Sequence, residues 1–218
     1  MHTAARWILG LVVNMLLACA VLAQAVESAP LSRTQALQAL AHSTPAQRRA
    51  GVERLADIGT MTDANQVALR LHDDDAAVRE LAAASLWQIW SRSGDKAIDA
   101  EYQKGVQFME ARRFGEAIAT FSAVIKKRPA FAEAWNKRAT VYYLLEEFEL
   151  SIKDCDEVMK RNPHHFGALS GYGQIYLQLG EWERALAYFE RGLKVNPNMP
   201  GAVDAVKMLR QKLRGTVA

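Results

Sequence analysis

Apolar side chains recur at three- and four-residue spacing along much of the chain, which gives an α-helix one buried face. Leu55 and Ile58 continue such a face and Gly59 stops it; Ala82, Ala83 and Leu86 carry another. Trp87 and Trp90 then stand three residues apart, on one side of the same predicted helix. Near the C-terminus, Ala202, Val203, Val206, Leu209 and Leu213 form a helical stripe over Pro200 to Arg214. Only 6 prolines interrupt the chain, and alanine and leucine, both strong helix formers, are abundant. The pattern predicts an all-α protein.

Three of those prolines are periodic. Pro129, Pro163 and Pro197 fall 34 residues apart. With each proline at position 32 of a unit, the units run 98–131, 132–165 and 166–199. Other columns then agree. Position 8 holds Gly105, Ala139 and Gly173; position 11 holds Phe108, Tyr142 and Tyr176. Position 17 holds Phe114, Phe148 and Trp182; position 20 holds Ala117, Ser151 and Ala185; position 24 holds Phe121, Cys155 and Phe189. Each unit reads as two antiparallel helices. Small residues at positions 8 and 20, Gly173 facing Ala185 for example, let the backbones approach. Large residues at 11 and 24 fill the space beside them. Proline at 32 ends the second helix. One unit cannot bury its own apolar face, so neighbours stack to complete the core. Residues 200–214 read as a helix capping that stack.

The period and columns resemble the tetratricopeptide repeat (TPR) family. Glu133-Ala134-Trp135-Asn136-Lys137-Arg138-Ala139 and His165-Phe166-Gly167-Ala168-Leu169-Ser170-Gly171 are similar to bacterial TPR proteins of unassigned role. Arg112 and Glu146 depart from the family at turn position 15, where Gly180 conforms, and position 4 has tryptophan only at Trp135. The resemblance implies a helical-hairpin solenoid whose first helices line an inner groove, mainly at positions 2, 5, 9 and 12. Carried over, these are Asp99, Tyr102, Val106 and Met109; Glu133, Asn136, Thr140 and Tyr143; Gly167, Ser170, Gln174 and Leu177. The partner-binding set expected from them is Tyr102, Met109, Asn136, Thr140, Tyr143, Ser170, Gln174 and Leu177. The implied function is a non-catalytic scaffold for a protein or peptide. One TPR subset holds acidic chaperone tails in a clamp of lysines, asparagines and an arginine. Tyr102 and Val106 stand where the first repeat's Lys and Asn would be, and Ser170 and Gly171 stand near the third repeat's bases, so the resemblance argues against that ligand.

Residues 33–95 precede the repeats. Thr44 with Gln47 reads as a capping box, with Pro45 in the first turn. Leu71-His72-Asp73-Asp74-Asp75-Ala76-Ala77-Val78-Arg79 resembles the turn of a HEAT-like repeat, with Arg48, Ala50, Leu55 and Gly59 as the preceding helix. A helical-hairpin extension of the solenoid is the alternative. Trp87 and Trp90 are expected to pack against the first repeat, an exposed aromatic partner site being the other reading. Ser91 to Lys96, containing Gly94, reads as a short joint.

At the N-terminus, Arg6 precedes an apolar run from Trp7 to Leu22, broken only by Asn14. Ala23-Gln24-Ala25 then offers small residues where a signal peptidase reads. Residues 1–25 are thus expected to be a cleaved signal, and the protein to be exported to a bacterial periplasm. An uncleaved anchor is the second reading. The third is a lipoprotein, since Leu16-Leu17-Ala18-Cys19 resembles a lipidation box; lipid on Cys19 would make the protein a membrane-anchored assembly factor. Without Cys19, Cys155 has no intramolecular disulfide partner.

A formal net charge of +3 is too balanced to argue for nucleic acid. Its basic excess gathers partly at Lys207, Arg210, Lys212 and Arg214, which suit a helix C-terminus. No cofactor is implied, because the phosphate-binding glycine loop, His-Glu-x-x-His, Cys-x-x-Cys and Gly-x-Ser-x-Gly patterns are missing. His164 and His165 are expected to be solvated rather than metal ligands. Asp73-Asp74-Asp75 lacks the spacing of a calcium loop and reads as helix-start acids. Glu146, Glu147 and Glu149 read as a solvated acidic turn. An enzyme would need an unfamiliar site at the joint between the two parts. The sequence is silent on oligomeric state.

Overall fold

The computed structural model describes residues 29–215; the expected signal, its cleavage after Ala25 and the lipid alternative at Cys19 lie outside them. Among the described residues there are eleven α-helices, one 3-10 turn and no strand. The first four helices form one layer: α1 (Arg33–Ala39), α2 (Pro45–Ile58), α3 (Ala64–Ala68) and α4 (Ala76–Trp90), with the 3-10 turn Leu69–His72 following α3. Val52, Leu55, Leu71, Ala82, Leu86 and Ile89 are fully buried within it.

Polar side chains set the bends of this layer. Asp75 caps α4 by accepting from the Val78 N–H at 3.0 Å, as a helix-start acid should. Asp73 does something else. It accepts a bidentate pair of bonds from Arg48 at 2.8 and 2.7 Å, and Arg48 also donates to the carbonyls of His42 and Ser43. The α1–α2 and α3–α4 turns are thereby tied together. Burial alone would raise the Asp73 carboxyl; the Arg48 guanidinium and the Asp75 N–H outweigh it and hold it at about 2. The capping box expected at Thr44 and Gln47 does not form. Thr44 turns back towards His42 Nδ1 and caps no helix N–H, although Pro45 does open α2. A capping box occurs instead at Ser32 and Gln35, one helix earlier.

Three helical hairpins follow: α5 (Lys96–Glu110) with α6 (Phe114–Lys127), α7 (Ala132–Leu144) with α8 (Phe148–Arg161), and α9 (Phe166–Gln178) with α10 (Trp182–Val195). The last helix, α11 (Pro200–Gly215), buries Ala202, Val206 and Leu209 in the core of the third hairpin. The hairpin turns repeat one backbone device. Arg112, Glu146 and Gly180 all take left-handed φ values, of 57°, 60° and 74°. Each turn closes with the paired bonds of a Schellman motif, for example Arg113 N–H to Phe108 C=O at 2.8 Å and Arg112 N–H to Met109 C=O at 3.0 Å. The turn is therefore kept where glycine is missing, and Arg112 and Glu146 carry the steric cost of that conformation.

Inside each hairpin the small residue of column 8 meets the residue of column 24. A Cβ on Gly105 would lie 2.7 Å from the Phe121 ring, and one on Gly173 would lie 2.8 Å from the Phe189 ring. In the middle hairpin, Ala139 and Cys155 share the same core. A larger first residue thus accompanies a smaller second one. Over Gly173 the space is filled by the Phe189 ring, the large column-24 residue, and Ala185 belongs to the same core.

This exchange of volume is testable. Gly173→Ala forces a methyl into the Phe189 ring and should cost about 1–3 kcal/mol in denaturant unfolding. Gly173→Ala with Phe189→Cys recreates the pair of the middle hairpin. The double loss should be smaller than the sum of the single losses by at least about 0.5 kcal/mol. Additive losses would mean that the two positions do not share that space.

Candidate functional site

The inner faces of α7 and α9 form one side of a cleft of about 460 Å³. From α7 come Asn136, Thr140 and Tyr143; from α9 come Ser170 and Gln174. Ala83 and Trp87 of α4 and Asn196, Asn198 and Met199 of the link after α10 form the rest. Every side chain lining the cleft is uncharged. Four amides and several hydroxyls stand among aromatic and methyl groups, a surface that can pair with peptide backbone while covering apolar atoms. Cys155 lies on the floor. Burial, and then the charges of Asp154 and Asp156, push its thiol up to about 12. It stays protonated at neutral pH, which makes it a poor nucleophile.

The cleft has an opposing wall because the N-terminal layer docks on the repeats. Trp90 stacks on His165 with ring centres 4.4 Å apart, and Trp87 meets His165 and Phe166 edge-on at 5.4 Å. Gly167 makes this approach possible, since any Cβ there would collide with the Trp87 indole. Further along, Asn198 donates to the Leu71 carbonyl at 2.8 Å and accepts from Arg79 at 2.9 Å. His72 Nε2 lies 3.2 Å from the Val195 carbonyl oxygen. The two tryptophans were expected to pack on the first repeat. Their ring contacts lie at the junction of the second and third units, on His165 and Phe166, so the layer lies over the inner face. Trp90 is core, as expected.

Beneath the tryptophans lies a buried polar cluster. Glu133, in the first turn of α7, and His165, at the N-cap of α9, both have side chains with no exposed surface. His165 Nδ1 accepts from the Ala168 N–H at 3.0 Å, so Nε2 carries the proton and donates to Glu133 Oε2 at 2.9 Å. Asn136 donates to both carboxylate oxygens at 3.2 Å, and Lys137 Nζ stands 3.4 Å from Oε1. Burial alone would raise the Glu133 carboxyl; His165, Lys137 and Asn136 more than reverse that, and the group is held below its ordinary value. The expectation that His165 is solvated is overturned. Its ring is needed to satisfy Glu133 and to cap α9.

The structure divides the expected binding residues. Asn136, Thr140, Tyr143, Ser170 and Gln174 line one cleft. Tyr102 does not reach it: only 1% of its surface is exposed, among Phe121 and Phe131, and burial followed by the Glu133 charge pushes its phenol up. Met109 packs into the first hairpin's core and Leu177 against that of the third. The repeat period placed these positions correctly on first helices, but it carries no information on what covers them. Trp87, whose alternative reading was an aromatic partner site, does line the cleft, whereas Ala83, Asn196, Asn198 and Met199 were not anticipated as lining residues. No property of a single unit signals them, because they come from the docked layer and an inter-helix link.

Comparison with known proteins agrees with this architecture. Two tetratricopeptide repeat family models match residues 131–198 and 102–159. A TPR repeat-containing protein of Rhizobium etli is 33% identical over 69 residues, which is 32% of this chain and 34% of that one. The match thus spans about a third of that relative's length. Among solved structures, the first TPR domain of Spaghetti (RPAP3), bound to the HSP90 peptide SRMEEVD, superposes with a TM-score of 0.52 at 24% identity. It covers 54% of this chain and 93% of that domain. The Arabidopsis OM64 TPR domain gives 0.51 at 24% identity, over 53% and 96% of the two chains. The Sgt2 TPR domain of Aspergillus fumigatus gives 0.52 at 17%, over 56% and 82%. Column by column, and by both family models, residues 102–198 of the chain are tetratricopeptide repeats.

Proposed function

We propose that this protein is a non-catalytic scaffold whose inner cleft holds a short, uncharged, extended segment of a protein partner. The observation that carries this is the cleft lining, which is rich in amides, hydroxyls and aromatic rings and has no charged side chain. Amides pair with the N–H and C=O of an extended strand, and tyrosine and tryptophan cover apolar atoms with few rotatable bonds. The domain of Spaghetti was solved with an acidic peptide. Here Val106 stands at a position that such a clamp fills with a polar side chain, Tyr102 is buried, and the cleft offers no cation. The same fold therefore favours a neutral ligand in this chain.

We also propose that the protein is exported. Arg6, the apolar run from Trp7 and Ala23-Gln24-Ala25 support that reading. N-terminal sequencing of protein recovered from the cell envelope should find a start at or near Val26. A start at Cys19 would replace cleavage after Ala25 with the lipid-anchor reading, and an intact Met1 would remove both.

The binding reading makes a quantitative demand. Partner capture should weaken by about 2 kcal/mol or more in a Tyr143→Ala, Asn136→Ala double variant if the pair is a hot spot. It should fall only mildly between low and high salt, because few exposed ion pairs are there to be screened. Circular dichroism must show that the variant is folded, since Asn136 also serves Glu133. A folded variant that captures the partner as well as the parent does would move the site elsewhere.

A further inference from the structure

A second cavity, of about 240 Å³, lies at the joint between the N-terminal layer and the first two repeats. It is separate from the uncharged cleft, and its chemistry is opposite. Arg92 of the joint, Arg128 after α6 and Arg161 at the end of α8 line it, together with the Trp90 and Phe131 rings and Asn162. No carboxylate belongs to the lining. Arg161 is paired with Glu157. Among the described residues neither Arg92 nor Arg128 forms an ion pair with a carboxylate, although the charges of Asp57 and Asp99 act on Arg92; Arg92 bonds the backbone carbonyls of Leu55, Ala56 and Gly59, and Arg128 that of Ser93. Each guanidinium has five N–H donors, so all three keep N–H groups beyond these bonds.

Two further observations concern the same cavity. Asn162 is 8% exposed, and its Nδ2 has no hydrogen-bond partner. Its orientation is fixed, because Oδ1 accepts from the His164 N–H at 3.3 Å. A buried amide N–H₂ without an acceptor costs free energy that an anionic oxygen would recover. The N-terminus of α7 also forms part of the wall through Phe131 and Ala132, and no side chain caps it. Helix N-termini offer donors and a positive dipole to anions. Glu133, in the same turn, opposes this, but its charge is already taken up by His165, Asn136 and Lys137.

We propose that this cavity is a binding site for a small oxyanion, a phosphate or carboxylate group, held by Arg92, Arg128, Arg161 and the Asn162 amide. The planar guanidinium fork matches both groups. The volume lies below the roughly 300–1,000 Å³ of drug-sized sites, so the ligand is a free anion or the anionic end of a longer molecule. Burial pulls Arg92 below its ordinary value, and the charges of Asp57 and Asp99 only partly offset that. The site is independent of the peptide cleft, and its occupation would tie the joint to both repeats.

Titration calorimetry on the full chain tests it, with inorganic phosphate and with acetate as probes against chloride at matched ionic strength. Saturable binding of one anion is expected; preference for phosphate or for acetate identifies which oxyanion the site takes. Asn162→Asp keeps the acceptor for His164 but replaces the donor with a negative charge, and should weaken binding by at least about tenfold. Arg128→Gln, at an exposed position with little structural duty, should weaken it in the same direction while leaving the melting temperature unchanged. No saturable binding of either anion by the parent would overturn the proposal. So would binding by folded Arg128→Gln and Asn162→Asp proteins that equals the parent's.

Discussion

A carboxylate with no exposed surface must recover from neighbours the hydration it loses, and Glu133 does so through three side chains, Asn136 and Lys137 of α7 and His165 at the N-cap of α9. The bond from His165 is the one on which the rest depends, because the same ring performs three tasks. Its Nε2 satisfies Glu133 in the second repeat, its Nδ1 caps the first helix of the third, and its face carries Trp90 of the N-terminal layer. Two repeats and the layer therefore meet at a single imidazole. A buried ion cluster of this kind is weak evidence of net stability, but removing one partner leaves the other uncompensated. Its contribution here is to register, fixing how α4 lies on α9.

That register creates both cavities. With Trp87 seated over Gly167 and Asn198 bonded to Leu71, α4 runs beside the inner face rather than away from it. An open TPR groove becomes a cleft with an opposing wall, narrower and wholly uncharged. At the other end, the same docking brings Arg92 beside Arg128 and Arg161. The two cavities have opposite linings: Glu133 is held within the buried cluster, Glu157 pairs with Arg161 and Lys160, and no carboxylate lines the second cavity.

The repeats were legible because a stacked hairpin imposes its columns on each unit separately. Gly105 opposite Phe121 and Gly173 opposite Phe189 answer a local need for close approach, and the period displays it three times. The turn at Arg112 and Glu146 shows the limit of residue type, since the Schellman bonds impose a left-handed φ even without glycine. The inner-face positions were legible as positions only. Tyr102 is lost to the core and Gly167 is covered by Trp87, because what faces a groove depends on segments that lie far away in sequence. The His72 and Asn198 contacts join residues more than a hundred positions apart, and no periodicity encodes them. His165 was misread for the same reason: an adjacent histidine pair in a link looks solvated until the tryptophans that bury it are in place.

The central claim is that the N-terminal layer and the repeats form one unit held at His165. Native-state amide hydrogen exchange measures this segment by segment. Amides in the second half of α4, from Ala82 to Trp90, should be protected to the same degree as those of α9 from Leu169 to Tyr176. Both should lose protection together when His165 is replaced by alanine. Exchange in α4 that is orders of magnitude faster than in α9 of the parent protein would contradict the account, since it would mean that the layer leaves the inner face while the repeats stay folded.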